Sequence, residues 1–329
     1  MARLRRIIAF FRRWWRTERR GLVALLVLVL VAVLAACAPL FTQNPDTIDA
    51  LKRLGSPSGA HWFGTDEYGR DILSRVIYAG RVSLELGVLV TSITAVVGTA
   101  LGMLAGYYRK LDTPVMRLMD GMMAFPPIVL AIALVAALGA GLFSEVAALS
   151  VVFTPRVARI AYGSTLQLKG SEYVEAARAS GSRVRTILAR HLLPNSLGPL
   201  VVQASFIYAE TILFDAALSF LGLGVAPPAP TWGNMIAAAR TYLTVSPWFA
   251  VFPGLAIVIS ATSLNLVGDS LRHVVQRGPV DPAGGPEKEA LTSQAPAVEP
   301  ALVGDVANLA GLNSGNGRPP GMTGPISPN

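Results

Sequence analysis

The chain has 329 residues, 52% of them hydrophobic and only 15% charged, yet its formal net charge is +8. Ordinary soluble domains carry about 25% charged residues, and a chain this apolar cannot be disordered throughout. A single cysteine, Cys37, excludes a disulfide scaffold. The combination points to a polytopic membrane protein.

A membrane helix needs about 20 mostly apolar residues. Residues 1–21 hold eight arginines together with Trp14 and Trp15. The first apolar run, Leu22–Ala38, follows directly. Its basic start and the Leu34-Ala35-Ala36-Cys37 end also fit a lipoprotein signal. The run lies at the upper edge of the about 7–15 residues of a signal's apolar region, and five more runs follow. A retained first helix with an inert, buried Cys37 is therefore expected. Residues 39–82 form an external segment. Leu86–Tyr108 is the second span and Met122–Leu142 the third, where Pro126-Pro127 implies a kink or a local break. The fourth, Ser144–Tyr162, is the weakest, because the apolar residues Val146–Phe153 stop at Pro155 and Arg156. It crosses only with its arginines at an aqueous end, where long basic side chains snorkel. Pro199–Leu221 and Trp248–Val267 are the fifth and sixth. Residues 83–278 thus hold five spans and a long loop at about 163–198. The tail, 279–329, has nine Pro and eight Gly in 51 residues and no aromatics, a composition that reads as disordered.

Six spans put both termini on one side. That side carries 22 of the 28 lysines and arginines, the other side 6. Positive charge resists translocation, so the rich side, with both termini, is expected to be cytoplasmic. Trp62, Trp232 and Trp248 then fall at the outer interface as anchors. Arginines divided among several loops address a membrane face and argue against nucleic acid as a partner.

Catalytic chemistry finds little support. His61, His191 and His273 lie far apart without Cys or HExxH partners, so no metal site is expected. Lys52, Lys110, Lys169 and Lys288 are followed by Arg53, Leu111, Gly170 and Glu289, which excludes a Gly-Lys-Ser/Thr phosphate loop. If ATP is used, another subunit binds it. Glu85 and Glu145 lie near helix ends, within reach of water. Glu210 and Asp215 are mid-span and about 140° apart around a helix. Either one lines an aqueous path while the other bonds a neighbouring helix, or both are satisfied between helices.

The loop between the fourth and fifth spans is locally helical. Ser171 is placed to cap a helix with Glu172 and Glu175 in its first turn. Ala176, Ala177, Ala179 and Ser180 give it a small-residue surface, and Gly181 suits the position just past its end. Ser182 can cap a second helix with Val184, Ile187, Leu188 and His191 in one stripe, ended by Pro194. Such a helix–turn–helix permits close approach by another protein.

The stretch Tyr173-Val174-Glu175-Ala176-Ala177-Arg178-Ala179-Ser180-Gly181, continuing to His191-Leu192-Leu193-Pro194-Asn195, resembles the EAA loop of ABC-importer permeases. His61-Trp62-Phe63-Gly64-Thr65-Asp66-Glu67-Tyr68-Gly69-Arg70-Asp71 resembles the segment after the first helix in the C-type permease of dipeptide, oligopeptide and nickel importers. Leu218-Ser219-Phe220-Leu221-Gly222-Leu223-Gly224-Val225 resembles that subunit's segment after the fifth helix, and Asn265–Arg272 its end. Asp215 stands where the family often has Glu, and residues after Arg272 depart from the family's usual end.

The resemblance implies an all-α fold, the six-helix type I ABC-importer permease, as a multi-pass protein of a bacterial inner membrane. It implies a homologous second permease, two cytoplasmic ABC ATPases that bind ATP and Mg, and an extracytoplasmic solute-binding protein. The chain itself would hold no cofactor and catalyse nothing. Glu175, Ala176, Ala177 and Gly181, with His191 and Pro194, would form the coupling contact with an ATPase. Solute would cross by alternating access, with dipeptides or oligopeptides favoured and nickel or glutathione open. Gly64, Thr65, Asp66, Gly69, Arg70 and Asp71 are expected first as turn elements, and Gly222 and Gly224 as a helix stop. An ion-driven secondary transporter using Glu210 and Asp215 is the alternative. It would not need the EAA loop, and its common internal repeats are not found.

Overall fold

The computed structural model describes residues 19–42, 44–226 and 228–276. Trp14, Trp15, the arginines before Arg19 and the expected tail lie outside those residues. The described chain is almost wholly helical.

Helix α1 spans Arg19–Ala36. Cys37 then leads into one helical turn, Ala38–Phe41, and is half-exposed rather than buried. An irregular segment follows, and α2, Ile72–Tyr107, begins 14 residues ahead of the expected Leu86. The early start has a local cause. The Asp71 carboxylate accepts the Ser74 N–H at 2.8 Å and caps the helix. Residues 72–82, expected in the external segment, are therefore its first turns.

Helices α3, Arg109–Met123, and α4, Pro127–Leu138, meet at 94°. Pro126 and Pro127 lack N–H groups and push the residues before them out of the helical region, so the expected kink is a full break. The third apolar run restarts at Pro127, not Met122. Twelve residues reach only about 18 Å, short of a hydrocarbon core of about 30 Å. Helix α5, Leu142–Leu168, runs unbroken through Pro155. A short helix, α6, Glu172–Ala179, precedes α7, Leu193–Phe220. The turns Val184–Thr186 and Ile187–Leu192 lead into α7, making one helical run from Val184 to Phe220. Pro194 therefore does not end a helix, as expected, but lies inside one. The turn before it is a π turn, whose wider winding makes room for a ring that an α turn would reject. Helix α8, Trp232–Ala239, and α9, Trp248–Gln276, complete the described chain.

Four described helical runs are long and apolar enough to cross a membrane: Arg19–Ala36, Ile72–Tyr107, Val184–Phe220 and Trp248–Val274. The bent pair α3–α4 makes a fifth if counted as one span. Helix α5 is not among them, since Glu145, Arg156 and Arg159 interrupt it.

The main helix contact is α2 on α5. Gly98, Gly102 and Gly106 recur every fourth residue and share one face of α2. A Cβ on Gly102 would stand 2.1 Å from the Ala158 carbonyl oxygen. On Gly98 it would stand 2.7 Å from the Val157 Cβ, and on Gly106 2.8 Å from the Thr165 Cβ. This glycine seam lets two backbones approach as only small residues allow. One buried cluster joins Leu86, Val90, Leu149 and Phe153 to Val174, Ile187 and Leu192. A second joins Ile72, Ile212, Trp232 and Phe249. Trp232 is 1% exposed, and its indole N–H donates to the Val76 carbonyl at 2.9 Å. It is a core residue rather than the expected interfacial anchor, because that carbonyl gives its one polar atom a partner inside the protein.

Candidate functional site: an exposed helical turn mounted on a spanning helix

Helix α6 carries Glu172 and Glu175 in its first turn, where carboxylates favour the helix dipole. Ser171 takes the cap position, but its hydroxyl donates to the Leu168 carbonyl at 2.6 Å instead of capping. The other end is closed twice. Ser182 N–H donates to the Ala177 carbonyl and Gly181 N–H to that of Arg178, both at 3.0 Å. This paired closure is the Schellman motif, and it requires the left-handed backbone that Gly181 adopts at φ 76°. The expected role of Gly181 as the residue past the helix end matches this geometry. Arg183, not Ser182, takes the cap position of the turn that follows, without a side-chain capping bond.

Val174 and Ala177 are buried and seat α6 on the core cluster that includes Ile187 and Leu192. Asn195 Nδ2 donates to the His191 carbonyl at 2.6 Å, and the Tyr173 and His191 rings lie 6.3 Å apart. The Arg178 guanidinium sits over the Tyr107 ring at 5.7 Å, tying α6 to the end of α2. Glu175, Ala176, Gly181 and Pro194 are exposed, whereas Ala177 turns inward and His191 is half-buried. The exposed turn is thus clamped to the start of the run that continues into α7.

The mid-helix carboxylates take different surroundings. Glu210 accepts from Arg156 at 2.5 Å, and both side chains are about one-third exposed. Asp215 is buried and accepts from Ser83 at 3.1 Å and from Ser219 at 3.3 Å. Ser83 in turn accepts the Trp232 backbone N–H at 3.3 Å. Glu145 is fully buried, and neither of its carboxyl oxygens has a hydrogen-bond partner among the described residues. Its expected contact with water is overturned, because the start of α5 packs inside the bundle. Arg156 on Glu210, and the ion pair of Arg159 with Asp120, explain how α5 carries two arginines among apolar helices.

The outer motif is a knot. Asp66 is fully buried and accepts the backbone N–H groups of Tyr68 and Arg70 and the Arg70 guanidinium. Thr65 accepts the Gly55 N–H, and Asp71 lies 3.0 Å from the His61 ring nitrogen. Burial pushes the neighbouring Glu67 carboxyl up from its ordinary value. Gly69 sits at φ 79°, where an added Cβ would overlap the Asp49 carbonyl. Phe63 stacks on Phe252 at 3.8 Å and fastens the knot to α9. Gly222, at φ 78°, ends α7 with the same paired closure as α6. Gly224 serves close approach instead, since a Cβ there would meet the Ser219 hydroxyl at 2.0 Å.

These features define a helical, multi-pass membrane protein with a rigid surface turn joined to one of its long helices. Residues 98–279 match the family model described as binding-protein-dependent transport system inner membrane component. The chain belongs to that family and is a transport component of an inner membrane. A putative peptide transport system permease protein of Brucella suis is 46% identical over 79% of this chain and 87% of its own length. The dipeptide transport system permease protein DppC of Alkalihalophilus pseudofirmus is 39% identical over 79% and 86%. A glutathione transport system permease protein, GsiD of Pectobacterium atrosepticum, is 42% identical over 81% and 89%. A structure of the MetNI methionine ABC transporter in an inward-facing conformation matches with a TM-score of 0.52. At 20% identity over 62% of this chain and 97% of that one, the likeness is one of fold.

Proposed function

We propose that the chain is a permease subunit of an ATP-driven, binding-protein-dependent importer of dipeptides or oligopeptides. The observation that carries the coupling role is the doubly closed turn at Gly181, exposed at its tip and seated by Val174 and Ala177 on the run leading into α7. A part so held moves as a lever. Glu175, Ala176 and Gly181 meet a cytoplasmic ATPase, while Ala177, His191 and Pro194 fix how the lever joins α7. Two such ATPases bind ATP and Mg, a homologous second permease completes the pathway, and an extracytoplasmic binding protein delivers solute. ATPase closure then drives alternating access. Glu210 with Arg156 faces the pathway, and Asp215 braces α7 on α2. Helix α5 is the sixth span, its charges answered by neighbouring helices, and both termini are cytoplasmic. Peptide permeases among the relatives support the solute class. Glutathione, itself a tripeptide, is a second solute supported by a relative.

Reconstitution tests the function. The purified chain alone should hydrolyse no ATP. With the ATPases, the second permease and a peptide-loaded binding protein, vesicles should accumulate dipeptide in step with hydrolysis. Hydrolysis by the lone chain, or hydrolysis by the full set without uptake, contradicts the assignment. Topology is tested separately: reporters fused at Gly170 should score cytoplasmic and at Gly55 external, and the reverse pattern sinks the proposed orientation.

A further inference from the structure

Helices α1 and α9 run antiparallel, with residues 19–27 beside 258–266 and residues 31–35 beside 252–259. Between the first pair lies an open groove of ≈ 560 Å³ walled by Val23, Val27, Val258 and Leu266. Arg19 and Arg20 stand at its α1 end. Both are exposed, and no ion pair among the described residues engages either. Thr262 and Ser263 add hydroxyls to the same groove. Farther along α9, the exposed Asp269 and Arg272 offset each other, so among the described residues the two α1 arginines leave this end net positive. A second groove, wholly apolar, continues along the seam past Ile259.

The walls suit hydrocarbon and the end suits an anion. A water-soluble phosphate would leave the walls unanswered, and a neutral lipid would leave the arginines so. We propose that this groove binds an anionic phospholipid, its acyl chain along the α1–α9 seam and its phosphate on Arg19 and Arg20. Basic clefts between membrane helices hold such headgroups by charge while the chain removes apolar surface from alternative contacts. The site depends on the protein's membrane location and not on its transport role.

The full chain, equilibrated in vesicles of equal phosphatidylglycerol and phosphatidylcholine and then extracted, can be assayed for retained lipid by native mass spectrometry. Phosphatidylglycerol should be retained roughly tenfold or more over phosphatidylcholine. The double variant Arg19→Gln, Arg20→Gln should bring the ratio near parity. Thr262→Trp, which fills the groove, should lower retention of both lipids. Equal retention by the unaltered chain overturns the site, as does an unchanged ratio in the double variant. Photo-crosslinking from Thr262 in the assembled transporter should capture lipid, and capture of a protein subunit instead overturns it as well.

Discussion

Gly102→Val is expected to yield almost no stably folded protein. The Cβ it introduces would lie 2.1 Å from the Ala158 carbonyl oxygen, 2.8 Å from the Ala161 Cβ and 2.9 Å from the Ala158 carbonyl carbon. Two of those atoms are backbone, so no rotamer change relieves the overlap. Helices α2 and α5 would have to separate along the whole glycine seam, because Gly98 and Gly106 hold the same distance one turn away on either side. A packed interior does not deform locally by that amount, and the clash exceeds the usual overpacking cost of about 1–3 kcal/mol. Net stabilities are only about 5–15 kcal/mol, so the loss is severe. Gly163→Val is the matched control: it lies on α5, where an added Cβ meets nothing within 4 Å. Membrane-fraction yield and thermal unfolding in detergent should separate the two variants widely. Equal yields and equal midpoints would mean that the seam does not hold the fold.

That seam was visible in the sequence as Gly98, Gly102 and Gly106 at four-residue spacing, yet a search for apolar mass passes over the smallest residues. The apolar runs themselves are a different kind of signal. Each is local and long, so α1, α2, α7 and α9 follow from composition alone. Pro126-Pro127 is local too, and the break there was legible, although its 94° angle depends on how α4 packs on α5. What local pattern cannot carry is pairing across the chain. Arg156 finds Glu210 across 54 residues, and Ser83 finds Asp215 across 132. The same limit explains Trp232 and Glu145. Their chain positions suggest an interface and a wet helix end, and only the three-dimensional packing, which buries both and sets Val76 beside Trp232, reveals that they are interior. Pro194 misleads for a converse reason. The rule that proline stops a helix assumes α winding, and the π turn from Ile187 to Leu192 suspends it. The loop around α6 was the most legible part, because its start, small face and closing glycine lie within eleven consecutive residues, 171–181.

Gly181→Trp is expected to abolish uptake while leaving a folded, membrane-inserted chain, and the two effects have separate causes. The left-handed backbone at Gly181, φ 76°, costs a residue with a Cβ about 1–2 kcal/mol. That is a small part of a stability of about 5–15 kcal/mol, and an added Cβ meets nothing within 4 Å. The indole therefore projects outward from the exposed turn, into the space the proposed ATPase contact must occupy. Gly181→Asn separates bulk from backbone. Asn tolerates the left-handed region better than other residues and is small, so it should keep most uptake. Expression, detergent unfolding midpoint and peptide uptake measured together read both variants. The proposed coupling contact requires Trp to lose uptake by roughly 100-fold or more, since about 2.7 kcal/mol of lost docking already gives that factor. It also requires the midpoint to fall by only a few degrees. Near-normal uptake by the Trp variant would remove the contact from Gly181. Equal loss in Trp and Asn would instead assign the effect to the backbone turn, making the closure of α6 rather than its exposed tip the part that the ATPase drives.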